Sequence, residues 1–168
     1  MANRENHYEA AFEALLRERQ STYLPVDEAH RAMLGYGSLK SLDFILTARD
    51  GRNWLVDVKG RRFPAGRRQK QYWRNWSTLD DVDSLVQWEQ AFGERFTGLF
   101  VFAYDVVGDR APLPAEQLFP FRHRLYGFIG VRLHEYAQFA TTLSPKWGTL
   151  SVPAATFRRL AEPLDAFL

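Results

Sequence analysis

The segment 53-NWLVDVKGRR-62 carries an acid and an amine, Asp57 and Lys59, two positions apart at the end of an apolar alternation. Side chains alternate across a strand, so these two share a face while Trp54, Val56 and Val58 take the other. A second acid, Asp43, lies in the apolar run 39–47, on the face opposite Leu42, Phe44 and Leu46. The turn at Asp50-Gly51 decides whether the acids meet. A two-residue loop pairs positions whose numbers sum to 101 and sets Asp43 against Val58. A three-residue loop, Arg49-Asp50-Gly51 with Gly51 left-handed, gives a sum of 100 and sets Asp43 against Asp57. It also aligns Leu42, Phe44, Val56 and Val58. A one-residue slip turns every side chain over, so burial of the apolar face selects the second register.

Two carboxylates about 5 Å apart across a ladder repel each other. A divalent cation removes that cost, and an all-oxygen donor set suits Mg2+ or Mn2+. The Val58 carbonyl is a further oxygen within reach. Lys59, one pleat on, stands where an ammonium orients an attacking water or neutralises charge on a phosphate. The chain has four lysines against 18 arginines, and Lys59 is the only lysine with an acid two residues before it.

The elements that position these residues follow from periodicity. Residues 7–19 read as a helix, with Tyr8, Phe12, Leu15 and Leu16 on one face and Asn6 as its cap. Residues 21–27 read as a strand, which Pro25 places at a sheet edge. A loop with Gly35 and Gly37 follows, then strands at 39–47 and 53–59. Ser77 or Thr78, with Asp80 or Asp81 three on, opens a second helix running to about Phe92. The unbroken apolar run 96–104 is a buried strand. Three prolines and scattered charges make 105–124 a long loop. Beyond it lie a strand at 126–133, a helix at 134–142, a strand at 147–152 and a final helix from 154. Phe157, Leu160 and Leu164 form the stripe of that last helix, with Pro163 kinking or ending it. The order predicts an α/β (α+β) fold. Its αβββαβ core is a mixed sheet with helices on its faces, extended by a C-terminal βαβα.

The 168 residues suit one domain, 1–168, with 46% apolar and 25% charged residues. No cysteine is present, which removes disulfides and thiolate metal sites and suits a reducing cytoplasm. The opening 1-MANRENHYEA-10 lacks the apolar core of a signal peptide, and no run reaches the ~18 apolar residues of a membrane helix. The net charge of +2 says little, but its distribution says more. Segment 59–74 holds seven of the 22 basic residues and no acid, which leaves 15 basic against 20 acidic elsewhere. Such a stretch favours a polyanion.

The same residues resemble the PD-(D/E)XK nuclease superfamily. The matching pieces are Glu9 on the first helix, Asp43 on a strand, and Asp57-Val58-Lys59 on the next, over roughly residues 5–105. The stretch 7-HYEAAFE-13 resembles the family named for its HYExAFE signature. The resemblance implies a restriction-endonuclease-like core in which Glu9, Asp43 and Asp57, with the Val58 carbonyl, hold Mg2+ (or Mn2+). Lys59 is then the catalytic lysine, and a metal-activated water hydrolyses a nucleic-acid phosphodiester, DNA by expectation. Leu42 stands where the superfamily's proline usually precedes the first acid. Arg61, Arg62, Arg67, Arg68 and Lys70 lie where the nucleic-acid backbone must be held, and Lys40 is a further phosphate-binding candidate. Many resolving and restriction nucleases of this fold are dimers, so a homodimer is expected by analogy.

Plainer readings stand beside these. Asn6-x-x-Glu9 fits a capping box, which would make Glu9 a structural residue. Asp57 and Lys59 fit an exposed ion pair at a strand end. Tyr8 reads as core and Glu13 as an exposed helix acid, with His7 open. Lys40 and Ser38 fit a solvated loop as well as a phosphate-binding role. Tyr72, Trp73 and Trp76 fit base stacking, but tryptophans beside a loop more often anchor it to the core. Gln87 and Gln90 are the candidates for a site residue on the second helix. His30, His123 and His134 lack zinc spacing. A catalytically inactive nuclease fold that binds nucleic acid or a protein is the rival to the enzyme.

Overall fold

The computed structural model describes residues 6–26, 32–34 and 37–168, with side chains 32–38 outside the description. The expectations for His30, Gly35 and the side chain of Ser38 therefore lie outside the described residues. Helix α1 spans His7–Glu18, and strands β1 Thr22–Pro25, β2 Ala32–Leu34, β3 Gly37–Leu39, β4 Phe44–Thr47 and β5 Asn53–Phe63 follow. Strand β6 Ser77–Thr78 leads directly into helix α2 Leu79–Phe92, and β7 spans Phe96–Val106. The C-terminal part holds β8 Phe119–Phe121, β9 Arg124–Arg132, α3 Leu133–Phe139, β10 Thr141–Ser144, β11 Thr149–Ser151, α4 Ala154–Leu160 and β12 Glu162–Pro163.

A seven-stranded mixed sheet forms the centre, in the order β1-β4-β5-β7-β9-β12, with β8 also on β9. The β5–β7 pair is parallel and the other pairs are antiparallel. The parallel pair requires a crossover, which α2 provides. Edge strand β1 carries Pro25, as expected. Alternation along β5 sends Trp54, Val56 and Val58 to one face, where they pack with Phe12, Leu15 and Leu16 of α1. Leu55 faces the other way, against Val82 and Leu85 of α2 and Tyr136 of α3. Asp57 and Lys59 follow Leu55 onto this second face.

The hairpin register is the one burial selects. Phe44 pairs with Val56, Ile45 with Leu55, Leu46 with Trp54 and Thr47 with Asn53. Ala48 N–H donates to the Arg52 carbonyl at 2.8 Å, which closes a three-residue loop whose Gly51 has φ +85.

Several boundaries differ from expectation. The run 39–47 divides, so that Leu39 ends β3 and the main-sheet strand begins at Phe44. Leu42 consequently packs with the α2 side and not with Phe44. Strand β5 continues to Phe63, four residues past its expected end at Lys59, because its full length pairs with β7. The expected loop at 105–124 includes β8. The last helix stops at Leu160; β12 then returns the chain to β9, and Leu164 joins the α1-side core while Phe157 stays on the opposite side. An unexpected small sheet, β10-β11-β6, flanks the start of α2.

Candidate active site

The carboxylates and the lysine are delivered to one place by four elements. Glu9 comes from the first turn of α1, Asp43 from the entry to β4, Asp57 and Lys59 from β5, and Asp81 from the first turn of α2. All five line a single cavity of about 300 Å3, together with Lys40, Ser41, Leu42, Val58, Ser84, Leu85 and Trp88. Glu9, Asp43, Asp81 and Ser84 are buried there.

Each acid is held by a local device. Asn6 caps α1 by accepting from Tyr8 N–H at 3.1 Å, and its Nδ2 donates to Glu9 Oε1. The cap is thus made by Asn6 through Tyr8 N–H, while Glu9 bonds to the Asn6 side chain and lines the cavity. The main chain leaves the sheet just before Asp43, so the Val58 N–H has no strand to pair with. Asp43 Oδ2 accepts it instead, at 2.5 Å. Asp43 N–H donates to the Val56 carbonyl at 3.0 Å, which keeps the acid in register beside Asp57.

Lys59 Nζ lies 2.8 Å from Asp57 Oδ2 and 3.1 Å from Asp81 Oδ2. Asp81 also receives Lys40 Nζ at 2.8 Å, and Lys40 reaches Asp80 at 3.3 Å. The result is a chain of alternating charge running from β5 to α2. Burial works against the Lys59 ammonium, yet Asp57 and Asp81 outweigh it and push its pKa up. Burial raises the Asp57 carboxyl above the ordinary range, with the Asp81 charge adding to it and Lys59 opposing. Asp81 goes the other way: burial is overcome by Lys59, Lys40 and the Thr78 hydrogen bonds, which hold it well below the usual range. Among the described residues no three acids or histidines already stand close enough together to grip a metal. The donors are oxygens of the right kind around one cavity, with Asp57 engaged by Lys59.

Asp81 is the residue that sequence reasoning placed only as a helix cap. It does cap α2: its carboxylate accepts from Thr78 N–H at 2.8 Å, and Thr78 Oγ1 accepts from Asp81 N–H at 3.1 Å. The oxygen that closes the box, Oδ2, also meets Lys59, while Oδ1 takes Lys40. Ser84, one turn on, lies on the same face and lines the same cavity. Gln87 and Gln90 are exposed and do not line the cavity.

Tyr8 and His7 seat α1 on the sheet. His7 Nδ1 lies 2.7 Å from the Tyr126 hydroxyl on β9. Tyr8 packs against the core with its ring directly over Gly60 of β5, where a Cβ would overlap ring atoms Cγ, Cδ2 and Cε2. Glu13 is only partly exposed, pairs with Arg17 at 2.7 Å and lies outside the cavity.

The basic residues take two roles. Arg61 turns inward, with its guanidinium 3.9 Å from the centre of the Trp76 ring and hydrogen bonds to the carbonyls of Gly60 and Trp76. Burial lowers its pKa. Lys40 is engaged by acids. Arg62, Arg67, Arg68 and Lys70 are exposed, at and beyond the end of β5. Trp73 packs on Phe63, Tyr104 and Phe157 and anchors the basic segment to the core; Tyr72 also packs on Phe63.

No protein-family model and no curated protein sequence matches the chain. Among solved structures, the chain is similar to Hjc of Archaeoglobus fulgidus, a Holliday junction resolvase from an archaeal hyperthermophile. The TM-score is 0.55 and the identity 12%, over 96% of this chain and 97% of that one. The similarity extends over nearly the whole of both chains and shows the mixed-sheet, restriction-endonuclease-like fold expected from the resemblance.

Proposed function

We propose that this protein is a divalent-metal-dependent endonuclease acting on DNA. The observation that carries the reading is the convergence of Glu9, Asp43, Asp57 and Lys59 on one cavity, in a fold shared with a DNA junction resolvase. Glu9, Asp43 and Asp57 would hold the ion, Mg2+ or Mn2+, with the Val58 carbonyl beside them. Carboxylate and carbonyl oxygens are the donors such hard cations take. When bound, the ion supplies charge neutralisation at the phosphate and acidifies water.

The chain's own residues do the rest. Asp43 and Asp57 are presented side by side by the three-residue hairpin. An ion held by Asp57 would compete with Lys59 for that carboxylate, and Asp81, 3.1 Å from the ammonium, would keep the lysine paired. Lys59 would then be the cation and hydrogen-bond donor available to orient an attacking water and stabilise charge on the phosphoryl oxygens. Exposed Arg62, Arg67, Arg68 and Lys70 hold the backbone of the strand. Cleavage of supercoiled, linear and branched DNA with and without Mg2+ tests the proposal. Wild type cuts only with the ion, and Lys59→Ala and Asp57→Ala abolish cutting while retaining the fold by circular dichroism. Unchanged cutting by both variants refutes the mechanism. A homodimer would bring two such cavities to two strands, which sedimentation equilibrium measures directly.

A second reading is favoured by the ion pair between Asp57 and Lys59. In it the cluster is structural and the fold binds nucleic acid without cutting. Salt-sensitive binding with no Mg2+-dependent hydrolysis distinguishes it.

A further inference from the structure

The small sheet β10-β11-β6 ends in an apolar surface that the nuclease reading does not use. Trp147 is 71% exposed, and Leu79 and Leu143 are 50% and 57% exposed. The position of Trp147 is fixed by neighbours on both sides. Trp147 ends a 3-10 turn, Pro145–Trp147, closed by left-handed Gly148. The Gly148 carbonyl accepts from Leu79 N–H at 2.8 Å, and Thr149 pairs with Thr78. Thr78 Oγ1 is in turn 3.3 Å from Lys40 Nζ, which lines the cavity. Two residues of extended chain span about 7 Å, so the Trp147 backbone lies within that reach of the strand residue paired with Thr78.

A cation stands beside it, and exposed Asp80 follows Leu79 on the neighbouring helix. Lys146 Nζ sits 5.3 Å from the centre of the Trp147 ring. From Tyr136 to Ala161 the chain has Lys146, Arg158 and Arg159 and no acid. An exposed indole beside a cation is a combination that stacks a base while the lysine meets its phosphate. Only a base out of the duplex stack offers its face to such a ring.

We propose that Trp147 is a stacking platform for an unpaired base, and that the substrate class is single-stranded or branched nucleic acid in preference to uninterrupted duplex. The strand's path into the cavity rests on the nuclease reading; the stacking itself does not. The test is fluorescence anisotropy of labelled oligothymidylate and of a blunt duplex of equal length. Both are titrated in EDTA with wild type, Trp147→Ala and Trp147→Phe. Loss of one stacked base is expected to weaken oligothymidylate binding about tenfold in Trp147→Ala. Trp147→Phe keeps most of the affinity, and duplex binding is nearly unchanged. Equal oligothymidylate affinity in wild type and Trp147→Ala overturns the proposal and leaves the patch to a protein partner. An equal loss on both probes, or no oligothymidylate binding by wild type, also overturns it. Stacking by a wild type that cuts no substrate with Mg2+ would sink the nuclease reading alone.

Discussion

Replacing Gly60 with alanine tests how α1 is seated against the site. An alanine Cβ at this position falls 2.1 Å from Tyr8 Cδ2, where carbon atoms need about 3.5–4.0 Å. The ring must withdraw by on the order of 1 Å, and it has little room, being packed against the α1-side core. Tyr8 immediately precedes Glu9, and His7 ties the same turn to Tyr126. The displacement is therefore passed to the first turn of α1 and carries Glu9 with it. Overpacking of this kind costs about 1–3 kcal/mol, and an ångström of misplacement in a catalytic group costs about 100-fold in rate. Urea unfolding and initial cleavage rates across a Mg2+ series, measured on the same preparations, read the two effects. Gly60→Ala should lose both stability and rate. Combining it with Tyr8→Ala should cost less than the two single changes added together, since removing the ring removes the clash. Wild-type stability and rate in Gly60→Ala would refute the seating of α1 through Tyr8.

Three further outcomes are expected. Asp43→Ala leaves the buried Val58 N–H without its acceptor and should destabilise by about 1–3 kcal/mol. Asp43→Asn keeps an acceptor and should retain most of the stability while losing cleavage, so unfolding and activity should separate in that variant. The Asp81 carboxyl is held below its unfolded value, so its contribution to stability is present above the unfolded pKa and lost as pH falls toward the folded one. The melting-temperature gap between wild type and Asp81→Asn should be full at neutral pH and shrink below about pH 4; a gap independent of pH would show that Asp81 acts only as a cap. Changing Arg67, Arg68 and Lys70 to alanine should flatten the salt dependence of DNA binding, by about one unit of log–log slope for each phosphate that is no longer neutralised.

What was legible in the sequence was what local periodicity controls. The Asp43–Asp57 register followed from an apolar alternation that tolerates one loop length, and left-handed Gly51 with its three-residue turn meets that expectation. The α1 cap at Asn6 and the α2 capping box at Thr78 were likewise written in side chains that bond within three residues. Asp81 was hidden by that success, because the cap explained it fully. Its second role appears only when α2 is laid over β5. Arg61 read as one member of a basic run, since nothing local indicates that Trp76 folds back over it. The third strand of the small sheet, β6, joins it by pairing Thr78 with Thr149 and Ser77 with Leu150, which no window of ten residues contains.

The central claim is that three carboxylates and an ammonium surround one ion site. Anomalous diffraction from a Mn2+-soaked crystal tests it most directly. A Mn2+ peak coordinated by Glu9, Asp43 and Asp57, with Lys59 moved off Asp57 and still paired with Asp81, is the expected result. Saturating Mn2+ with Lys59 still on Asp57 and no peak in the cavity would contradict it.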